Sequence, residues 1–152
     1  MRNEKLWIFL LVMFFFATSD KTEAQIAVIV NESNSCDNLS TSELERIFLG
    51  KITTFSNGDQ IVLVQFEPLS KQFYHKVLHK TPMKVRKHWI NMVFSGGSGM
   101  PPKECSSLDQ ITKLFADHPG AISFVELSEV LEGMKVVSID SKLPQDEDYP
   151  LK

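Results

Sequence analysis

Serines that precede helix-like patterns are the residues of this chain best suited to bind a small anion. Ser40, Ser70 and Ser107 each stand where apolar residues begin to recur with helical spacing. The backbone amides at a helix start attract anions, so these starts form a candidate oxyanion site. Ser70 ranks first as a ligand-binding residue, followed by Ser33 and Asn34 in the loop before Ser40. The alternative is that the serines only cap their own helices, each contributing about 1 kcal/mol.

A pair of histidines is the second group that could do chemistry. His75 and His79 are four residues apart in a predicted helix and could bind a metal from one face. The HExxH pattern is absent, since Lys76 and Val77 follow His75, and solvated side chains beside lysines are the simpler interpretation. The sequence also contains no GxSxG elbow and no paired-carboxylate motif. We therefore expect a non-enzymatic protein without a metal or a cofactor.

The elements that must position these residues alternate between strands and helices. Strand-like runs cover residues 25–30, 61–66, 121–125 and 135–139, and helices are predicted to begin near Ser40, Ser70, Thr81 and Ser107. Such alternation is typical of an α/β domain. We expect a single layered domain over residues 25–140 with a mixed, largely parallel sheet. Residues 141–152 are polar, contain two prolines, and are predicted to form a flexible tail.

The amino terminus has the order of an export signal. Arg2 and Lys5 precede or flank an apolar run from Leu6 to Ala17, and residues 18–24 are small or polar. A twelve-residue run makes roughly 18 Å of helix, whereas a bilayer core is about 30 Å thick. We expect residues 1–24 to be a signal peptide cleaved after Ala24, and the mature protein to be periplasmic or secreted without a stable membrane span. The alternative is an uncleaved anchor.

Export favours a disulfide between the two cysteines of the chain. Cys36 and Cys105 both remain after cleavage, and an oxidising compartment promotes pairing. The closed loop of about 70 residues would contribute roughly 4 kcal/mol in the chain-entropy model. We predict this disulfide, and two free thiols are the alternative.

Two motifs resemble those of a known family. The stretch IAVIVNESNSCDNLSTSELERIFLGKITTFSNG, residues 26–58, resembles a strand and short helix of phosphate-type periplasmic solute-binding proteins, with Phe55 where tryptophan is commoner. HPGAISFV, residues 118–125, is similar to the return strand of the same proteins. The chain is most similar to the small, single-lobe group of phosphate ABC transporter substrate-binding-like proteins. The resemblance implies the fold of one lobe of a type II periplasmic binding protein.

The chain departs from this family at the ligand position. In full-length relatives, a G-S-G-T-R segment after the second strand holds phosphate through its amides and its arginine. The corresponding residues here are Glu67-Pro68-Leu69-Ser70-Lys71. Glu67 would repel phosphate and Pro68 has no amide to donate, so only Ser70 matches the pattern, as a helix N-cap.

These observations lead to two functional expectations. The first is an exported solute-binding-like protein that binds phosphate or another small oxyanion weakly. The alternative is an envelope protein-interaction or sensory-accessory module that reuses the lobe without capturing a ligand, with a transporter or another envelope protein as partner. The formal charge of −3 provides no general field for nucleic acid, so we expect no such partner.

Overall fold

A five-stranded sheet forms the centre of the protein in a computed structural model that describes residues 23–152. The predicted signal peptide therefore lies outside the described residues, apart from Glu23 and Ala24. The strands, in chain order, are β1 (Ile26–Asn31), β2 (Asn38–Leu39), β3 (Val62–Phe66), β4 (Lys103–Cys105), β5 (Ala121–Glu126), β6 (Met134–Val136) and β7 (Ser138–Ile139).

The strand order in the sheet is β4-β3-β5-β1-β6, and β2 and β7 form a separate parallel pair. Strand β3 is parallel to β4 and β5, whereas β1 is antiparallel to both of its neighbours. Side chains of β1 from Ile26 to Val30 are fully buried, because the strand is covered on both faces. This topology confirms the predicted α/β domain with a mixed, largely parallel sheet.

The described residues contain four α-helices: α1 (Thr41–Phe48), α2 (Glu67–Phe73), α3 (Pro82–Phe94) and α4 (Leu108–Asp117). A π-helical turn, Tyr74–Leu78, continues α2 directly. Three of the predicted starts are confirmed, since the side chains of Ser40, Thr81 and Ser107 accept hydrogen bonds from backbone amides in the first turns of α1, α3 and α4.

The core is centred on an aromatic cluster between the sheet and the helices. The rings of Phe73 from α2 and Phe124 from β5 are stacked with centroids 3.8 Å apart. Phe48 from α1 meets Phe73 edge-on at 4.8 Å. These contacts fix α1 and α2 on one face of the sheet, so the start of α2 is held at the end of β3.

Two predicted segments differ in the structure. The last strand, predicted over residues 135–139, is divided into β6 and β7, which pair with different partners. The predicted flexible tail is attached to the core, because Tyr149 and Leu151 are buried and the Gln25 side chain donates to the carbonyl of Pro144. A polar segment can therefore be fixed by two well-placed apolar side chains.

The predicted disulfide is absent, and both cysteines are free thiols. Cys36 follows β1, whereas Cys105 ends β4, which lies three strands away in the sheet order. Three strand spacings amount to about 14 Å, and a disulfide requires Cα atoms within roughly 7 Å. The pairing is wrong because the topology places the cysteines on different parts of the sheet.

Candidate functional site

The start of α2 is the position at which the family resemblance implies a ligand. The helix begins at Glu67, immediately after β3, and its N-cap Phe66 has no side chain that can accept a hydrogen bond. The prediction that Ser70 caps this helix is wrong, because Pro68 in the first turn already starts it. The Ser70 hydroxyl donates to the carbonyl of Glu67 at 2.9 Å and is buried inside the first turn.

Ser33 and Asn34 lie in the loop after β1 and have partners within the protein. The Ser33 hydroxyl donates to Oδ1 of Asn31 at 2.7 Å. The Asn34 side chain is buried; its amide donates to the carbonyl of Pro119 at 3.1 Å, and its Oδ1 accepts the amide of Cys36 at 2.8 Å. Both side chains therefore stabilise the loop.

The structure does not bring these three predicted residues together. The sheet register places Val30 and Leu63 on either side of Ile122, so the end of β1 lies level with the start of β3. Ser70 follows the end of β3, roughly 10 Å further along the strand. Ser33 and Asn34 lie beyond the other end of the strands, where β3 begins. The assignment of the three as ligand contacts stays a prediction, but they cannot form one site.

A basic groove lies along the outer face of α2 and leads to the start of α3. Its volume is about 500 Å³, and it is lined by Glu23, Pro68, Lys71, Gln72, His75, Lys76, Lys80, Thr81 and Pro82. Lys76 Nζ is 3.4 Å from the carboxylate of Glu23. Within residues 23–152, neither Lys71 nor Lys80 has a carboxylate within ion-pair distance. The groove thus offers cationic side chains to an anion.

A second groove, of about 470 Å³, lies between α3 and the chain leading into β4. Tyr74, Val85 and Trp89 are buried residues in its lining, and Pro101 and Pro102 lie on its other side. The Tyr74 hydroxyl donates to the side-chain oxygen of Gln65 at 2.5 Å. We call this concavity the apolar groove, because aromatic, aliphatic and proline side chains dominate its lining.

Neither cysteine thiol is activated for catalysis, and the two histidines of the predicted pair are exposed. Burial raises the pKa of the Cys36 thiol, and it also raises the pKa of Cys105, which reduces the fraction of nucleophilic thiolate at neutral pH. His75 is exposed, and His79 lies at the end of the π-helical turn in a left-handed conformation with φ 51°. In the part of the chain that the structure describes, no three His, Cys, Asp or Glu side chains form a group that could hold a metal.

No family model matches the chain. Among solved structures, an ABC-type phosphate transport receptor from Vibrio cholerae matches 85% of this chain and 55% of its own, with a TM-score of 0.65 and 17% identity. A putative phosphate ABC transporter substrate-binding protein from Clostridium perfringens, with bound phosphate, matches 76% of this chain and 45% of its own, with a TM-score of 0.59 and 20% identity.

PstS from Borrelia burgdorferi matches 79% of this chain and 49% of its own, with a TM-score of 0.57 and 15% identity. The chain has the fold of one lobe of these proteins. The predicted phosphate-receptor fold is thereby confirmed, and the chain spans about half the length of the structures it matches. No helix within residues 23–152 combines the length and apolar character that crossing a bilayer requires.

In the sequence, the lysines around α2 form only a run of positive charge, without an indication that they share one surface. The run becomes a groove wall because the chain reverses after the π-helical turn, which brings Lys80 and Thr81 to the side that carries Lys71. The left-handed conformation of His79 produces this reversal, and no glycine marks it in the sequence. The residues were visible in the sequence, but their convergence was not.

Proposed function

We propose that this protein is an exported, non-enzymatic lobe of the phosphate-receptor type that binds phosphate or a similar small oxyanion weakly. The basic groove beside α2 carries the proposal, because it provides Lys71, Lys76 and Lys80 on a fold shared with phosphate-binding proteins. Lysine ammonium groups bind phosphate oxygens as point charges, without the bidentate geometry of arginine. Weak affinity is therefore expected.

Differences from the matched structures also favour weak binding. The chain spans about half of each matched structure, and the described residues have the fold of one lobe. Glu67 lies in the first turn of α2 and places a negative charge close to the groove. We expect a dissociation constant on the order of 1 mM, equivalent to about 4 kcal/mol of binding free energy.

Calorimetric titration with phosphate and with sulfate tests this proposal. The variants Lys71→Glu and Lys80→Glu should each abolish the binding heat, because a carboxylate then repels the anion. Lys113→Glu on α4 is the matched control, since it makes the same charge change on an exposed side chain that does not line the groove. Loss of binding in all three variants, or no heat in the unchanged protein at millimolar anion, would contradict the proposal.

Ser70→Ala separates two versions of the site. If the anion sits among the lysines, this variant should bind with unchanged affinity, because the Ser70 hydroxyl is buried and donates to Glu67. If the Ser70 hydroxyl is a ligand contact, affinity should fall about tenfold, the usual effect of losing a hydrogen bond to a charged group.

Export is part of the proposal and is tested separately. The order of basic, apolar and small residues over positions 1–24 supports cleavage after Ala24. Amino-terminal sequencing of the protein recovered from the periplasm or the medium should begin at Gln25. Recovery of the whole chain from the cell interior would contradict export without affecting the anion site.

A further inference from the structure

Charge is distributed unevenly along the chain. Between residues 68 and 103 there are seven Lys and Arg residues and no Asp or Glu, although the formal charge of the whole chain is −3. This basic segment contains Lys71, Lys76, Lys80, Lys84, Arg86, Lys87 and Lys103. The rest of the chain is acidic, so the segment forms a positive region on a negative protein.

The large exposed apolar side chains are concentrated in the same segment. Of seven such residues among those the structure describes, five lie between residues 83 and 100: Met83, Ile90, Val93, Phe94 and Met100. Phe94 is 87% exposed, Met83 81% and Met100 74%. Isolated exposed apolar residues are ordinary, but a cluster of this kind marks an interaction surface.

Helix α3 orders these residues on one face. Val85 and Trp89 face the protein and are buried, whereas Met83, Ile90 and Phe94 recur at intervals of seven and four residues on the outer face. Lys87 falls one turn from both Met83 and Ile90, and is exposed. The outer face of α3 therefore combines exposed apolar side chains with a lysine that lies among them.

The apolar groove widens this surface toward β4. Met83, Ile90 and Phe94 contribute to its lining, together with Pro101 and Pro102. The ion pair between Arg86 and Glu104, at 3.7 Å, involves well-exposed side chains, so it stabilises the arrangement of this face only weakly. Apolar groups of a binding partner could therefore contact both the exposed side chains of α3 and the apolar groove beside them.

We propose that the outer face of α3 docks on an anionic membrane surface. Helices that lie in a bilayer interface combine apolar side chains, which enter the acyl region, with lysines and arginines that meet anionic headgroups. The charge of the basic segment complements such headgroups. A second copy of the chain would instead bring two positive surfaces together, which is unfavourable. This inference goes beyond the proposed anion binding and does not depend on it.

Co-sedimentation with lipid vesicles tests the docking. The chain is used from Gln25 onward, which is the mature form after the proposed cleavage; the buried core lies within residues 26–151, and the apolar run Leu6 to Ala17 would bind lipid by itself. Binding is expected to vesicles that contain phosphatidylglycerol and not to vesicles of phosphatidylcholine alone. Millimolar phosphate at constant ionic strength should leave the binding unchanged, which distinguishes a lipid surface from a soluble ligand.

Matched variants locate the contact. Phe94→Ser and Met83→Ser should each weaken partitioning about tenfold through the loss of apolar burial. Leu131→Ser and Leu143→Ser change exposed apolar residues outside the basic segment and should have no effect. Lys84→Glu and Lys87→Glu should weaken partitioning at least about fivefold each, and Lys113→Glu on α4 should weaken it less.

Three outcomes would overturn the proposal. The first is no binding to phosphatidylglycerol vesicles, and the second is equal loss in the Leu131 and Phe94 variants. The third is self-association in sedimentation equilibrium that Phe94→Ser removes, which would assign the face to a second copy of the chain. If the first outcome is accompanied by specific binding of an acidic protein, that protein replaces the membrane as the partner.

Discussion

Helices α2 and α3 follow one another along the chain but use their side chains differently. Helix α2 and its π-helical turn bury aromatic residues and present Lys71 and His75 to solvent. Helix α3 buries Val85 and Trp89 and leaves Phe94 87% exposed, although Phe73 of α2 is fully buried. The first helix covers the core and has a basic outer face, whereas the outer face of the second combines exposed apolar and basic side chains.

The difference arises from what lies beneath each helix. Phe73 stacks on Phe124 of the central strand β5, so α2 covers the middle of the sheet. Helix α3 instead lies near the edge strand β4, where Arg86 reaches Glu104. Residue type alone does not decide burial, and an apolar residue outside the sheet is available for binding. Variants of α2 and α3 test whether the two helices differ in this way.

The largest expected effect separates the two phenylalanines. Phe73→Ala should lower the free energy of unfolding by about 4 kcal/mol, because it leaves a cavity in the aromatic cluster. Phe94→Ala should change it by no more than about 0.5 kcal/mol, since the ring is solvated. Urea denaturation measures both. Similar values for the two variants would show that α3 packs as α2 does.

Gly50 is the point at which the end of α1 meets α3. It has φ 71°, and a Cβ there would lie 2.6 Å from the Trp89 ring. Gly50→Ala should therefore destabilise the protein by about 2 kcal/mol through backbone strain and overpacking. Gly58→Ala is the control, because Gly58 also has a positive φ but a Cβ there meets nothing. Equal costs would leave strain as the whole cause and remove the Trp89 contact from the account.

Tyr74 gives the π-helical turn after α2 a dependence on pH. Burial raises the pKa of Tyr74, so the neutral phenol stabilises the fold below the ordinary tyrosine pKa and the contribution is lost as pH rises above about 10. Tyr74→Phe should cost about 1 kcal/mol near neutrality through loss of the bond to Gln65. Thermal unfolding across alkaline pH should show a shallower decline in the variant, and parallel declines would refute the assignment.

The smallest effect concerns the two helix starts. Thr81→Ala should destabilise α3 by about 1 kcal/mol, because the Thr81 side chain accepts the Lys84 amide. Ser70→Ala should cost no more than about 0.5 kcal/mol, since alanine favours the helix interior and Ser70 is not a cap. A larger loss for Ser70→Ala than for Thr81→Ala in chemical denaturation would restore the capping role to Ser70.

Much of the fold follows from local sequence. The buried run of β1 and the serines that precede α1 and α4 are short-range signals, and the structure confirms the elements that they predict. The predicted start of α2 near Ser70 is wrong, because the helix begins at Glu67 with Pro68 in its first turn. The buried tail depends on Tyr149 and Leu151, too few apolar residues to form a periodic pattern.

The location of the candidate site could not be predicted without the direction of each strand. The alternation of strands and helices predicts a largely parallel sheet, in which the loops that follow the strands lie at the same end of the strands. Such a sheet would place Asn34 near Ser70. Strand β1 is antiparallel to β5, whereas β3 is parallel to it, so the loops that follow β1 and β3 lie at opposite ends of the strands. The same topology separates Cys36 from Cys105. Direction depends on pairing between residues far apart in sequence, and no local pattern in this chain encodes it.

A phosphate titration followed by the ¹H–¹⁵N correlation spectrum tests the central claim most directly. Saturable shifts are predicted for the amides of Lys71, Gln72, Lys80 and Thr81, which line the basic groove, at millimolar phosphate and constant ionic strength. The amides of Ser33 and Asn34 at the other end of the strands should not move. Shifts confined to that end, or no saturable shift anywhere, would contradict an anion site beside α2.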